Sequence, residues 1–185
     1  MRSVGAAGLA SVYAGSCKRA TSKNANAAEP NAPQGNQDPE FPMVPRQKLG
    51  KTDLEVPRLA LGTNSLSGDN QIILRKAFQW GVNLWDTGPY YMGGNSEQSI
   101  GEFISRNPEA RKKLLLATKA TDAKDVRRVE RLFQLSCKRM NTDFMDLYFG
   151  IHPFDDPRLV TEDLKRWADK AKKKGRIRFF GCSIH

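Results

Sequence analysis

The feature that most constrains this chain is a repeat of short apolar runs. They fall at residues 59–62, 82–85, 114–118, 145–151 and 177–182, and successive runs begin 23 to 32 residues apart. Mostly continuous apolar runs of this length suit strands covered on both faces, as in a parallel sheet. The stretches between them read as helices. After Asp69, the residues Ile72, Ile73, Ala77, Phe78 and Trp80 fall at helical spacing, and Gly81 offers the stop. Ser96 is placed to cap a helix that buries Ile100, Phe103 and Ile104, and Thr121 or Asp122 opens a longer one carrying Val126, Val129, Leu132, Phe133 and Cys137. Thr161 caps a fourth with Leu164, Trp167, Ala168 and Ala171, closed by Gly175. Ahead of the first run, residues 47–49 and 54–56 flank Gly50-Lys51-Thr52-Asp53, which reads as a small hairpin. Strand, helix, strand at this interval predicts right-handed βαβ units, so the class is α/β.

Two architectures use such units, an open doubly wound sheet and an eight-fold barrel. The first strand-to-helix loop, Gly62-Thr63-Asn64-Ser65-Leu66-Ser67-Gly68, lacks the G-x-G-x-x-G spacing of a dinucleotide-binding sheet. Polar residues also gather where the runs end: Asp86-Thr87, Lys119, His152 and Ser183. In a (β/α)8 barrel those ends converge on one face, where the chemistry is done. The prediction is therefore a (β/α)8 barrel.

Each of these residues has a plain structural explanation when taken alone. An aspartate after a strand caps helices, a lysine at a strand end reaches solvent, and a histidine before a proline can be a satisfied buried imidazole. The combination argues for function. A lysine beside a carboxylate on adjacent strands is a costly charge pair inside a barrel unless it has work to do. Five residues after the aspartate, Tyr91 can swing back over the same mouth. An ammonium beside a phenol favours the phenolate, which makes tyrosine a usable proton donor.

On these residues the sequence resembles the aldo-keto reductases. The matching motifs are Lys48-Leu49-Gly50 with Leu54-Glu55-Val56, Leu61-Gly62-Thr63, and Gly81-Val82-Asn83-Leu84-Trp85-Asp86-Thr87 followed by Tyr91, Ser96-Glu97 and Ile100-Gly101. They continue through Leu116-Ala117-Thr118-Lys119, Thr142-Asp143, Met145-Asp146-Leu147-Tyr148 before His152, and Gly175-Arg176-Ile177-Arg178-Phe179 with Gly181-Cys182-Ser183. The resemblance covers residues 46–185. It implies a barrel plugged at its bottom by the hairpin, and reduction of a small aldehyde or ketone by NADPH or NADH. It also implies a catalytic set of Asp86, Tyr91, Lys119 and His152, with Thr63, Asp86 and Ser183 on the cofactor. Tyr91 would donate the proton, Lys119 would assist it, Asp86 would hold Lys119 charged, and His152 would orient the carbonyl.

Three departures matter. Tyr90 competes with Tyr91, although spacing favours Tyr91. The chain reads Ser183-Ile184-His185 where many family members have Ser-Asn to clamp the nicotinamide carboxamide, and an isoleucine side chain neither donates nor accepts. That ending resembles the branch with an export signal and an iron–sulfur segment after the barrel. Cys17, Cys137 and Cys182 are too scattered to hold a cluster or another metal, so an iron–sulfur site is expected only in sequence beyond His185. The third departure is length. Of 185 residues, 1–19 read as a signal-like segment ending near Cys17, and 20–45 as a disordered linker rich in Ala, Asn, Pro, Gln and Gly. Residues 46–185 then suffice for about five strands and four helices, whereas a closed barrel takes about 250 residues. An incomplete barrel is expected, with exposed sheet edges that aggregate or find a partner.

Export, to a periplasmic or lipid-anchored state, is the first expectation for localisation, and a cytoplasmic protein is the alternative. No run approaches the length of a membrane span. The formal charge is +10, but the densest basic stretch, Lys172-Lys173-Lys174 with Arg176 and Arg178, falls at a helix C-terminus, where cations complement the dipole. No nucleic-acid partner is expected. Beside the reductase reading stand two others: a non-catalytic binding or regulatory barrel, or inactive fragment, and an unrelated barrel enzyme using Lys119 as a Schiff-base amine.

Overall fold

The computed structural model describes residues 43–183. The signal-like segment, the linker up to residue 42 and the Ile184-His185 ending lie outside the described residues. The hairpin is present as β1 (Arg46–Lys48) and β2 (Glu55–Pro57), paired antiparallel with Gln47 opposite Val56. Five strands follow: β3 (Leu61–Gly62), β4 (Leu84–Asp86), β5 (Leu115–Thr121), β6 (Met145–His152) and β7 (Ile177–Cys182). All neighbours are parallel, and their spatial order is their chain order. A helix lies in each connection: α1 (Gln71–Gln79), α2 (Asn95–Arg106), α3 (Val126–Arg139) and α4 (Glu162–Lys173). Sequential order with a helix at every crossover is the winding of a (β/α)8 barrel, here an arc of five strands with β3 and β7 at its edges.

Strand alternation divides the apolar side chains between two layers. Trp85, Leu116, Ala120 and Tyr148 point to the helices and join Ile100, Phe103, Leu132, Phe133 and Leu164 in the main core. The opposite face carries Leu84, Leu115, Leu147 and Phe179, and Leu54 and Val56 of the hairpin pack on it. The hairpin therefore sits at the start of the strands, on the barrel's inner side, and leaves the strand ends open.

Several local expectations change in three dimensions. The first strand contracts to two residues, and Leu59 stands 60% exposed, because β3 has a neighbour on one side only. On α1 the buried residues are Leu74 and Ala77, while Ile72, Ile73 and Trp80 are exposed. The helix turns the Leu74 side to the sheet, so the apolar residues counted by spacing straddle two faces. The third helix begins after Asp125, whose side chain accepts from Arg128 N, and Asp122 takes a left-handed backbone (φ 55°) in the loop before it. Thr161 does cap α4. Gly175 (φ 69°) ends it, with its N–H on Lys172 O and the Arg176 N–H on Ala171 O, a pairing that needs a left-handed residue at that position. Among the described residues no helix is long and apolar enough to cross a membrane.

One partly buried carboxylate ties α3 to α4 and to the start of β7. Glu130 accepts from Trp167 Nε1 (2.6 Å), from both Arg176 terminal nitrogens (2.6 and 3.1 Å) and from Gln134 (2.6 Å). Burial pushes its carboxyl up, but the bonds from Arg176, Trp167 and Gln134 outweigh that and hold it below its ordinary value. A group depressed in the folded state stabilises the fold above its unfolded value and loses that contribution as pH falls through the folded one. In urea unfolding across pH, Glu130→Gln should be less stable than the parent at neutral pH, with the gap closing below the ordinary carboxylate range. A gap that stays constant with pH would contradict this role.

Candidate active site

The site begins with strand register. Asp86 ends β4 opposite Ala117 of β5, and Lys119 lies two residues further along β5, so both side chains share the inner face at the strand ends. Lys119 is nearly buried, its side chain 5% exposed against 38% for Asp86. Its ammonium donates to both carboxylate oxygens of Asp86 (2.9 and 3.1 Å) and to Tyr91 Oη (3.0 Å). A charge so deep in the sheet is tolerated only with a counter-ion and filled hydrogen-bond positions, and here it has both.

Tyr91 reaches the lysine because the chain turns sharply after β4. Its N–H donates to Gly88 O (3.1 Å), which folds the segment back over the mouth. The ring lies over Gly88, where a Cβ would come within 3.3 Å of Tyr91 Cε1. The preceding tyrosine goes elsewhere: Tyr90 is 48% exposed and its hydroxyl meets Arg128. Of the two tyrosines, Tyr91, which spacing favours, is the one at Lys119.

The other named residues are distributed differently. His152 ends β6 and is paired in register with Thr121, two residues beyond Lys119. It lines a cavity of about 380 Å³ with Asp122, Lys124, Pro153 and Asp155. It therefore borders the same end of the sheet in a neighbouring recess. Ser183 follows β7, half-buried, with its N–H on Ile151 O and its carbonyl accepting from Phe154. Thr63, expected on the cofactor, lies beside the end of β4. It is 2% exposed, and its hydroxyl donates to the Asp86 carbonyl (2.9 Å) while accepting from Ser96 (2.7 Å). With these two bonds the hydroxyl braces the end of β4 against α2.

Ser96 itself is no helix cap. The residue before α2 is Gly94, and Ser96 is fully buried beside Thr63 and Thr87. Because its single hydrogen goes to Thr63, Thr87 must donate to it across 2.9 Å, and donation runs Thr87 to Ser96 to Thr63 to the Asp86 carbonyl. Glu97, the next residue, is completely buried and accepts from Thr118 (2.9 Å), Ser136 (2.6 Å) and Arg139 (3.2 Å). Thr87 follows Asp86 and Thr118 precedes Lys119, so each site residue has a strand neighbour pointing back into the helix layer. Neither Glu97 nor Arg139 stands out by spacing. The available signal was a carboxylate three residues from Ile100 and seven from Ile104, on the buried face of α2.

The chain is similar to known proteins. The family model for the aldo/keto reductase family matches residues 58–185. The chain belongs to the aldo/keto reductase family. It is 28% identical over 153 residues to the L-galactose dehydrogenase of Arabidopsis thaliana, covering 73% of this chain and 47% of that protein. It is also 28% identical over 159 residues to the Schizosaccharomyces pombe aldo-keto reductase yakc, whose name carries NADP(+), covering 76% of this chain and 45% of that one. A solved structure of a putative aldo-keto reductase from Pseudomonas aeruginosa matches its fold with a TM-score of 0.65 at 24% identity, over 75% of this chain and 59% of that chain. The chain spans about half the length of the curated relatives it matches.

The hydroxyl chain behind Asp86 is testable by stability. Ser96→Ala leaves two buried threonine hydroxyls short of a partner and should cost about 1–3 kcal/mol in urea unfolding. An unchanged midpoint and slope would mean that the chain contributes nothing.

Proposed function

We propose that the protein reduces an aldehyde or ketone with NAD(P)H, and that Tyr91 is the proton donor. One observation carries the reading: Lys119 contacts Asp86 and Tyr91 at once. As negative charge develops on the carbonyl oxygen, the Tyr91 hydroxyl gives up its proton to it. The phenolate left behind lies 3.0 Å from the Lys119 ammonium, which stabilises it in place. The two hydrogen bonds to Asp86 keep that ammonium charged and aimed. His152, at the end of the next strand, would donate a hydrogen bond to the carbonyl and hold its direction.

The family's nicotinamide, when bound, supplies the hydride. Toward its carboxamide end, Ser183 just after β7 would offer a half-buried hydroxyl and the partly exposed Asp86 carboxylate borders the mouth, whereas Ile184 brings no polar side chain. Thr63 supports the ring site from behind through the Asp86 carbonyl. Among the described residues no group of three or more His, Cys, Asp or Glu is placed to hold a metal ion.

The test is carbonyl-dependent oxidation of NADPH and NADH by the chain and by Tyr91→Phe, with a panel of small aldehydes and quinones. Turnover should fall by about 10²–10⁴-fold in the variant, the range lost with a general acid, while cofactor affinity is unchanged. Equal turnover in parent and variant would remove Tyr91 from the chemistry.

A further inference from the structure

The mouth depends on where the segment after β4 is held, and Arg139 holds it. This residue ends α3, 48 positions beyond Tyr91 in sequence, yet its guanidinium reaches the tyrosine's own turn. Arg139 Nη1 donates to the carbonyl of Pro89 (2.7 Å), two residues before Tyr91, and to Glu97 Oε2 (3.2 Å). Glu97 is fully buried and is held in turn by Thr118, next to Lys119, and by Ser136 of α3.

Two glycines record how closely this residue is seated. At Gly94, just after the Tyr91 turn and with φ 96°, an added Cβ would lie 2.4 Å from Arg139 Cζ. At Gly101 on α2, it would lie 2.0 Å from the Arg139 carbonyl oxygen. The side chain thus fills space that glycine opens at the exit of the turn, and its backbone packs against α2. Both ends of the Gly88–Gly94 segment meet the same guanidinium, at Pro89 and at Gly94.

We propose that Arg139, anchored on the buried Glu97 carboxylate, is the positioning residue that sets Tyr91 against Lys119. It touches neither the tyrosine hydroxyl nor the mouth. It acts through the Pro89 carbonyl, and Glu97 serves as the fixed point that both Arg139 and the β5 strand share. The proposal rests on the reading of Tyr91 as the proton donor, but its geometric half is independent of turnover.

The experiment uses the full chain with ring-labelled ¹³C-tyrosine, the Tyr91 signal being assigned by its loss in Tyr91→Phe. Removing Arg139 alone strands a buried carboxylate, so the main variant is the neutral pair Glu97→Gln with Arg139→Met. Arg139→Lys is the conservative companion, which keeps a cation at Glu97 but loses the planar fork. In the double variant the Tyr91 ring signal should move toward that of free tyrosine while Tyr148, buried with its hydroxyl on Val129 O, keeps its position. Turnover should drop about 10- to 100-fold with KM within about twofold, as expected for misplacement of a reacting group without loss of binding, and Arg139→Lys should recover part of it. A Tyr91 signal and kcat equal to the parent's would overturn the proposal. So would joint movement of the Tyr91 and Tyr148 signals, which marks a general loosening of the fold. If Tyr91→Phe itself leaves turnover intact, the reductase reading fails, and the Tyr91 signal alone still decides whether Arg139 positions it.

Discussion

A lysine ammonium with 5% of its side chain exposed must have its charge met where it stands, and Lys119 is met by Asp86. Desolvating a cation costs several kcal/mol, which a single half-exposed carboxylate offsets only in good geometry. That geometry comes from the sheet. Parallel pairing of β4 with β5 puts Asp86 beside Ala117, and the pleat brings Lys119 to the same face one step later. Neighbouring parallel strands lie about 4.8 Å apart, so the two side chains can meet without reaching. Tyr91 is then drawn to a position already defined by the ion pair.

The same alternation explains why the helix layer matters to the mouth. At the ends of β4 and β5 each inward residue has an outward neighbour, and at Asp86 and Lys119 that neighbour is a threonine. Thr87 and Thr118 carry the positions of β4 and β5 into the first turn of α2, where Ser96 and Glu97 receive them. Buried hydroxyls and carboxylates are expensive unless every one is bonded, and a fully bonded set allows one arrangement only. The polar layer thus trades apolar packing for a single register between sheet, α2 and the segment bearing Tyr91.

Much of this was legible in the chain itself, for identifiable reasons. Strands buried on both faces advertise themselves as continuous apolar runs, so β5 and β6 were readable, and β7, an edge strand with only Ile177 buried, keeps the same kind of run; their ends pointed to Lys119, His152 and Ser183. Asp86 and Tyr91 followed from five-residue spacing, which also favoured Tyr91 over Tyr90; the turn at Gly88 that carries Tyr91 to Lys119 is encoded in no periodicity. Errors arose where a local signal had a distant competitor. Ser96 before Glu97 looks like a helix start, yet its hydroxyl is taken by Thr63, 33 residues away. Asp122 follows a strand as a capping aspartate does, but its carboxylate has no helix to cap because its backbone turns left-handed and Asp125 takes that role. The bonds that tie the Thr63 hydroxyl to Ser96 and to the Asp86 carbonyl span 33 and 23 positions, and no local pattern announces them. The pairing of Glu97 with Arg139 was silent for the same reason, the contact spanning 42 positions.

Asp86 holds the buried Lys119 charge, and the rest of the mouth is built on that pair. A double-mutant cycle measures that directly, with Asp86→Asn, Lys119→Met and their combination compared by urea unfolding at neutral pH. If the two side chains form one unit, the double variant should be less destabilised than the sum of the singles, with a coupling above about 1 kcal/mol, as contacting charged groups give. Single effects that add to within about 0.5 kcal/mol, the behaviour of independent sites, would contradict it.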